Sequence, residues 1–173
     1  RRSGEEALDT FAGHQPDVMA YFGDMVLRGL PDSLRSLCLQ SSLFDRMTGP
    51  LCDQVLRHSG SALMLEELAR QQLFVMPLGL DAGWYRFHPW LRGFLQTRLQ
   101  REAPELVPVL HRRAAAWYLE AGDYHQALKH AHASEQPMLL GDALEAAFTV
   151  WAREGHFSGI LFWEDHLQGK RLL

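Results

Sequence analysis

No stretch of this sequence is apolar over anything near the roughly 20 residues that a membrane-crossing helix needs. The opening residues, Arg1 to Glu6, also lack the hydrophobic stretch of a signal peptide. A cytoplasmic protein with no membrane partner is the expectation. Cysteine is scarce: Cys38 and Cys52 are the only two, too few for the disulfide framework of a small secreted domain. Both fall in apolar, helix-like stretches where a thiol behaves as a small hydrophobe, although a single disulfide stays open. An excess of positive charge is missing as well. With 17 basic and 21 acidic residues the net charge is -4, which gives no overall attraction to phosphate polymers or anionic lipid.

Catalytic patterns are equally absent. There is no G-x-x-x-x-G-K-S/T run, so the backbone nest and lysine that hold a triphosphate are missing. No Ser, Cys or Thr stands beside a base in a recognisable elbow or triad, and Glu66 and Glu67, adjacent on a helix, diverge. His125, His130 and His132 do not share one helix face, and no cysteine or carboxylate completes a cage, so they read as packing or solvated residues. His111, Arg112 and Arg113 read as an exposed basic run. The expectation is a chain with no catalytic residue, no metal and no cofactor of its own.

What is present is helical periodicity. The hydrophobic fraction of 47% and charged fraction of 22% are those of a globular protein. From Asp17 to Leu30, Val18, Met19, Tyr21, Phe22, Met25, Val26 and Leu30 recur at three- and four-residue steps, as one buried helix face requires. Asp32 is the expected cap of a second helix and Thr48 of a third, with Pro50 in its first turn. Ser61 opens a fourth, whose apolar stripe is Leu63, Met64, Leu65, Leu68 and Ala69. The period then changes. Leu73 to Leu78, a turn through Gly79, Asp81, Ala82 and Gly83, and Trp84 to Phe87 predict a two-stranded hairpin. Such a hairpin is marginal alone, so Phe74, Trp84 and Phe87 are expected to pack on the helices. From Pro89 the helical period returns, with Trp90, Leu91, Phe94, Leu95 and Leu99 inward. Helices, hairpin, then helix is a winged-helix order. Its candidate recognition helix, Ser61 to Gln71, carries Glu66 and Glu67 against Arg70, the wrong sign for a phosphate-facing element, so no direct nucleic-acid contact is expected.

Beyond Pro104 the pattern is helix throughout, in segments near Glu105 to Ala121, Asp123 to Ala133, Gln136 to Glu154 and Phe157 to Leu167. The turn Gly122, Asp123, Tyr124 is echoed by Gly155, His156, Phe157, and 155 − 122 puts the glycines 33 residues apart. Tetratricopeptide units repeat at about 34 residues, with an aromatic after the turn and alanines where helices cross. The predicted fold is therefore mainly α: a winged-helix domain over 1–103 with a short two-stranded β-hairpin, then tetratricopeptide-like antiparallel helical hairpins over 104–173. A concave repeat face near Trp117, Tyr118 and Tyr124 would suit a protein partner, and a stand-alone helical-repeat scaffold is the alternative function.

Four segments carry a family resemblance: Tyr21 to Leu30 (YFGDMVLRGL), Leu65 to Phe74 (LEELARQQLF), Trp84 to Leu99 (WYRFHPWLRGFLQTRL) and Leu110 to Ala133 (LHRRAAAWYLEAGDYHQALKHAHA). In order and spacing they resemble the middle of the large ATP-binding LuxR-family transcriptional regulators, the MalT-like signal-transduction ATPases with numerous domains. Trp90 departs from the pattern, standing where a leucine is usual. The resemblance implies a parent protein with an N-terminal P-loop ATPase using ATP or ADP with Mg and a C-terminal DNA-binding helix-turn-helix. This chain would be the coupling segment between them, with the parent's ATPase and sensor domains as intramolecular partners and self-association on activation. The absence of a starting methionine and the ending at Leu172 and Leu173 fit that expectation of an internal piece. The resemblance also implies that His88, at the hairpin exit before Pro89, contacts the nucleotide phosphate, with Arg86 and Arg92 as weaker candidates. Capping the helix, for His88, and plain solvation, for the two arginines, are the competing readings.

Overall fold

The computed structural model describes residues 16–71, 74–79, 83–156, 158–159 and 161–163, with side chains described from Tyr21 onward. The expectations at Leu73, Asp81, Ala82, Phe157 and 164–167 lie outside the described residues, and those on the Val18 and Met19 side chains outside the described side chains. The chain divides into two compact units at Val107 and Pro108, four residues beyond the boundary expected from sequence.

In the first unit the elements run α1 (Pro16–Arg28), α2 (Asp32–Ser41), α3 (Gly49–Leu56), α4 (Ser61–Arg70), β1 (Val75–Pro77), β2 (Tyr85–Phe87) and α5 (Pro89–Glu102). The strands pair antiparallel in the register Val75 with Phe87, Met76 with Arg86 and Pro77 with Tyr85. The hairpin is reinforced on its other side: Met47 exchanges both backbone hydrogen bonds with Tyr85, at 2.7 and 2.8 Å. Met47 is fully buried and Phe87 nearly so, so the hairpin closes over the helical core that Leu51, Leu65, Leu95 and their neighbours fill. Cys38 and Cys52 are buried and unbridged, and burial pushes both thiols up to about 12, so each is a small hydrophobe at neutral pH.

The helix starts follow cap chemistry. Thr48 Oγ1 accepts the Leu51 amide at 3.3 Å, as its position predicts. Asp32, by contrast, is the first helical residue. Pro31, at φ -55° and ψ 150°, takes the cap position with no side-chain bond, and Asp32 pairs instead with Arg35 at 3.2 Å. The Ser61 amide that opens α4 is accepted by Asp53 Oδ1 at 2.9 Å, a cap reaching over from α3.

Two expected apolar faces are corrected. On α1, Tyr21 is 66% exposed and Phe22 and Met25 are also exposed, while Leu27 is buried. Gly23 decides this orientation: a Cβ there would stand 2.6 Å from the Phe94 ring, so the helix is seated on α5 by its one residue without a side chain. The Asp24–Arg98 ion pair fixes the same face. On α4, Leu63 is 72% exposed and only Leu65 and Leu68 of the expected stripe are buried.

The second unit contains most of α6 (Leu106–Glu120), with α7 (Tyr124–Ala133) and α8 (Pro137–Glu154), and further helical residues at 158–159 and 161–163. Asp123 caps α7 by accepting the Gln126 amide at 3.2 Å. Gly122 and Gly155 both turn the chain with left-handed backbones, φ 74° and 76°, which only glycine adopts without steric cost. Ala115, Ala131, Ala143 and Ala147 are buried where the helices meet, packed around Leu128, Trp151 and Trp163. No helix among the described residues is long and apolar enough to cross a membrane.

Candidate functional site

His88 joins β2 to α5, and the hydrogen bonds around it come from three directions. Its amide donates to the Phe74 carbonyl at 2.8 Å, its carbonyl accepts the Arg92 amide at 3.0 Å, and its ring Nδ1 accepts the Trp90 amide at 3.4 Å. Pro89 follows in the first helical position, where its missing amide costs nothing. The capping role foreseen for His88 is thus realised. It has a chemical consequence: a neutral imidazole that accepts at Nδ1 carries its hydrogen on Nε2. His88 therefore combines a ring donor with the start of a 14-residue helix, the end whose dipole favours negative charge.

The two arginines differ. Arg86 is exposed at the centre of β2, between the buried Tyr85 and Phe87, so strand alternation turns it away from the core. Arg92 is committed internally. Its Nε donates to the Ser42 carbonyl at 2.9 Å, one Nη donates to Leu43 O at 3.2 Å, and the same nitrogen pairs with Asp45 at 2.7 Å. Gln96 adds a bond to Ser42 O at 2.8 Å. These side chains complete carbonyls just past the end of α2, which the helix itself leaves unmatched. Arg92→Lys keeps the charge opposite Asp45 but loses the planar fork. We expect a cost of about 1 kcal/mol, read as a lower midpoint in urea unfolding with an unchanged slope. Unchanged stability would show that the fork is dispensable.

Nearby, the Arg46 guanidinium lies over the Trp84 ring at 4.6 Å. On α4, the Arg70 Nε donates to Glu67 at 3.0 Å, so the one basic side chain of that helix is already paired with a carboxylate.

In the second unit the aromatic trio is divided. Tyr118 is 1% exposed, so it belongs to the core and offers no docking surface; this corrects its expected place on a binding face. Its ring stacks on the buried His130 at 5.4 Å and 13°. Trp117 and Tyr124 are half-buried, the latter against Trp151 with centroids 6.4 Å apart. The basic run is also corrected: Arg112 is exposed, but His111 turns inward and its Nδ1 lies 2.8 Å from His130 Nδ1. Burial, then the charge of Lys129, lowers the His111 pKa to about 4. His125 is exposed beside Trp151, with ring centroids 4.7 Å apart. Among the described residues no group of three or more His, Cys, Asp or Glu side chains is placed to hold a metal ion.

Comparison with known proteins adds context to this geometry. Residues 23–107 match the family model described as the MalT winged helix domain. The chain is 33% identical over 147 residues to the serine/threonine-protein kinase PknK of Mycobacterium tuberculosis, covering 83% of this chain and 13% of that protein. It is 35% identical over 124 residues to the HTH-type transcriptional regulator MalT of Vibrio cholerae, covering 72% of this chain and 14% of the relative. With MalT of Klebsiella pneumoniae the identity is 32% over 180 residues, 99% of this chain and 20% of the relative. The chain therefore spans between 13% and 20% of the length of these relatives.

Proposed function

Residues 23–107 belong to the MalT winged helix domain family, and from that premise we propose that this MalT-like chain is the coupling segment of an ATP-dependent, LuxR-type transcriptional regulator. One observation carries the reading. The same stretch matches proteins named for different outputs, a serine/threonine kinase and helix-turn-helix regulators. A segment common to proteins of unlike output belongs to the step they share, upstream of kinase or DNA-binding chemistry.

In this reading the parent works by a population shift. ADP-bound ATPase docks on the winged helix, and His88 supplies Nε2–H to a phosphate oxygen at the start of α5. The residues fit that single contact: a neutral ring already oriented by its Nδ1 bond, at a helix end that favours an anion. ATP or ADP with Mg would be held mainly by the parent's own P-loop. Inducer binding to the tetratricopeptide-like region then favours an open state that self-associates in the cytoplasm. The segment itself touches neither DNA nor membrane.

The test is the full-length parent with His88→Ala. ADP release is expected to quicken about tenfold, the loss of roughly 1.4 kcal/mol for one charge-assisted hydrogen bond. Unchanged ADP retention together with unchanged activation would remove His88 from the mechanism.

A further inference from the structure

We propose that Phe74 is a positioning residue for His88, acting through its backbone carbonyl on one side and the Trp90 ring on the other. The inference rests on the reading of His88 just given and adds a residue to it.

The observation is a conformational anomaly. Phe74 has φ 58°, in the left-handed region that bulky side chains rarely occupy and glycine occupies freely. A large residue persists there only when its surroundings over-determine it, and such residues cluster at functional and switch positions. Two contacts do so here. The Phe74 carbonyl accepts the His88 amide at 2.8 Å, immediately before β1 begins and Val75 pairs with Phe87. The Phe74 ring meets the Trp90 ring edge-on, with centroids 5.5 Å apart and planes at 75°.

These contacts bracket the cap. The His88 ring is oriented by accepting the Trp90 amide, and that bond, at 3.4 Å, is at the long end of the range and easily lost. Phe74 holds both partners: the backbone of the acceptor residue through its carbonyl, and the donor residue through its ring. Trp90 is in turn stacked on Phe94, at 6.3 Å and 24°. The side chain at position 74 thus has a task beyond making a turn. If turning the chain were the only requirement, glycine would meet it without strain.

That contrast supplies the experiment. In this chain, Phe74→Gly keeps a left-handed turn and deletes the ring. The expected result is a folded protein in which the amide at position 90 exchanges with solvent about tenfold faster and the His88 Nδ1 nitrogen resonance shifts, while the Leu95 and Leu99 amides exchange as before. Phe74→Tyr, which retains the ring, should restore both signals. Should Phe74→Gly fail to fold, Trp90→Leu removes the same ring contact from the other side and should free the same amide. A folded Phe74→Gly or Trp90→Leu protein with an unaltered position-90 amide and an unaltered His88 resonance overturns the inference. In the full-length parent, Phe74→Gly should quicken ADP release several-fold and add nothing to His88→Ala. The two ideas fail separately. A freed amide with ADP retention indifferent to His88→Ala upholds the positioning role and removes the sensor; an unaltered amide with ADP retention lost in His88→Ala does the reverse.

Discussion

Tyr118→Ala is expected to remove about 3–5 kcal/mol of stability from the second unit, the usual cost of truncating a fully buried aromatic ring. Tyr118 is 1% exposed, stacks on His130 at 5.4 Å, and meets the edge of Trp117 at 5.0 Å. All of that surface becomes a void lined by helix interiors that cannot collapse onto it. Set against roughly 0.05–0.15 kcal/mol per residue, a unit the size of Pro108–Leu173 has only about 3–10 kcal/mol to lose. The loss is therefore comparable with the total, and thermal unfolding followed by circular dichroism should show a low, broad transition or none. Tyr118→Phe keeps the ring stack and should lose far less. The opposite outcome, a Tyr118→Ala protein that melts normally but no longer binds a partner, would return Tyr118 to the surface role its sequence position suggests.

Why that role looked reasonable in the sequence is instructive. Trp117 and Tyr118 are neighbours on one helix, so they cannot both face the same way, and periodicity alone assigns the inward direction to Trp117 with Leu106, Leu110 and Ala114. The structure buries Leu110 and Ala114 as that period requires, but adds Ala115 and Tyr118 and leaves Leu106 and Trp117 half-buried. The apolar stripe is wide enough for either rotation, and the choice is made by His130 across the hairpin. A similar ambiguity overturned α1, where apolar residues surround the helix and Gly23 sets its seating. A glycine inside a helical pattern is a signal for close approach, legible in principle, but its partner Phe94 is 71 residues away and cannot be named from sequence.

Other features were legible because they are local. The cap at Thr48, the turns at Gly122 and Gly155, and the helix start at His88 and Pro89 each depend on a few consecutive residues. The order of helices and hairpin followed from period changes of the same kind. Phe74 was not legible. Nothing in a phenylalanine announces a left-handed backbone; that conformation is imposed by what β1, His88 and Trp90 require around it.

Between pH 6.5 and about 4 the second unit is expected to lose stability steadily, and the buried His111 ring is the cause. Two Nδ1 atoms 2.8 Å apart can share one hydrogen only if one ring donates and the other accepts. Protonating the acceptor sets two N–H groups against each other, in a site where Tyr118 stacks on His130 and the Lys129 charge adds repulsion at His111. Burial first, and then the Lys129 charge, keeps the folded protein from protonating His111 until about pH 4, whereas the unfolded chain takes up that proton near 6.5. Across this window the unfolded state binds more protons, so stability is full above pH 6.5 and falls as the pH drops towards 4. The loss should be on the order of 1–2 kcal/mol, less than the whole shift would give, because His111 is partly open to solvent screening. Two measurements check it. The His111 ring resonances should titrate near 4, and His111→Asn should flatten the dependence of the urea midpoint on pH between 6.5 and 4.5, where most carboxylates are still ionised. A His111 midpoint near 6.5, with stability level across the same range, would mean that His111 is not buried in solution.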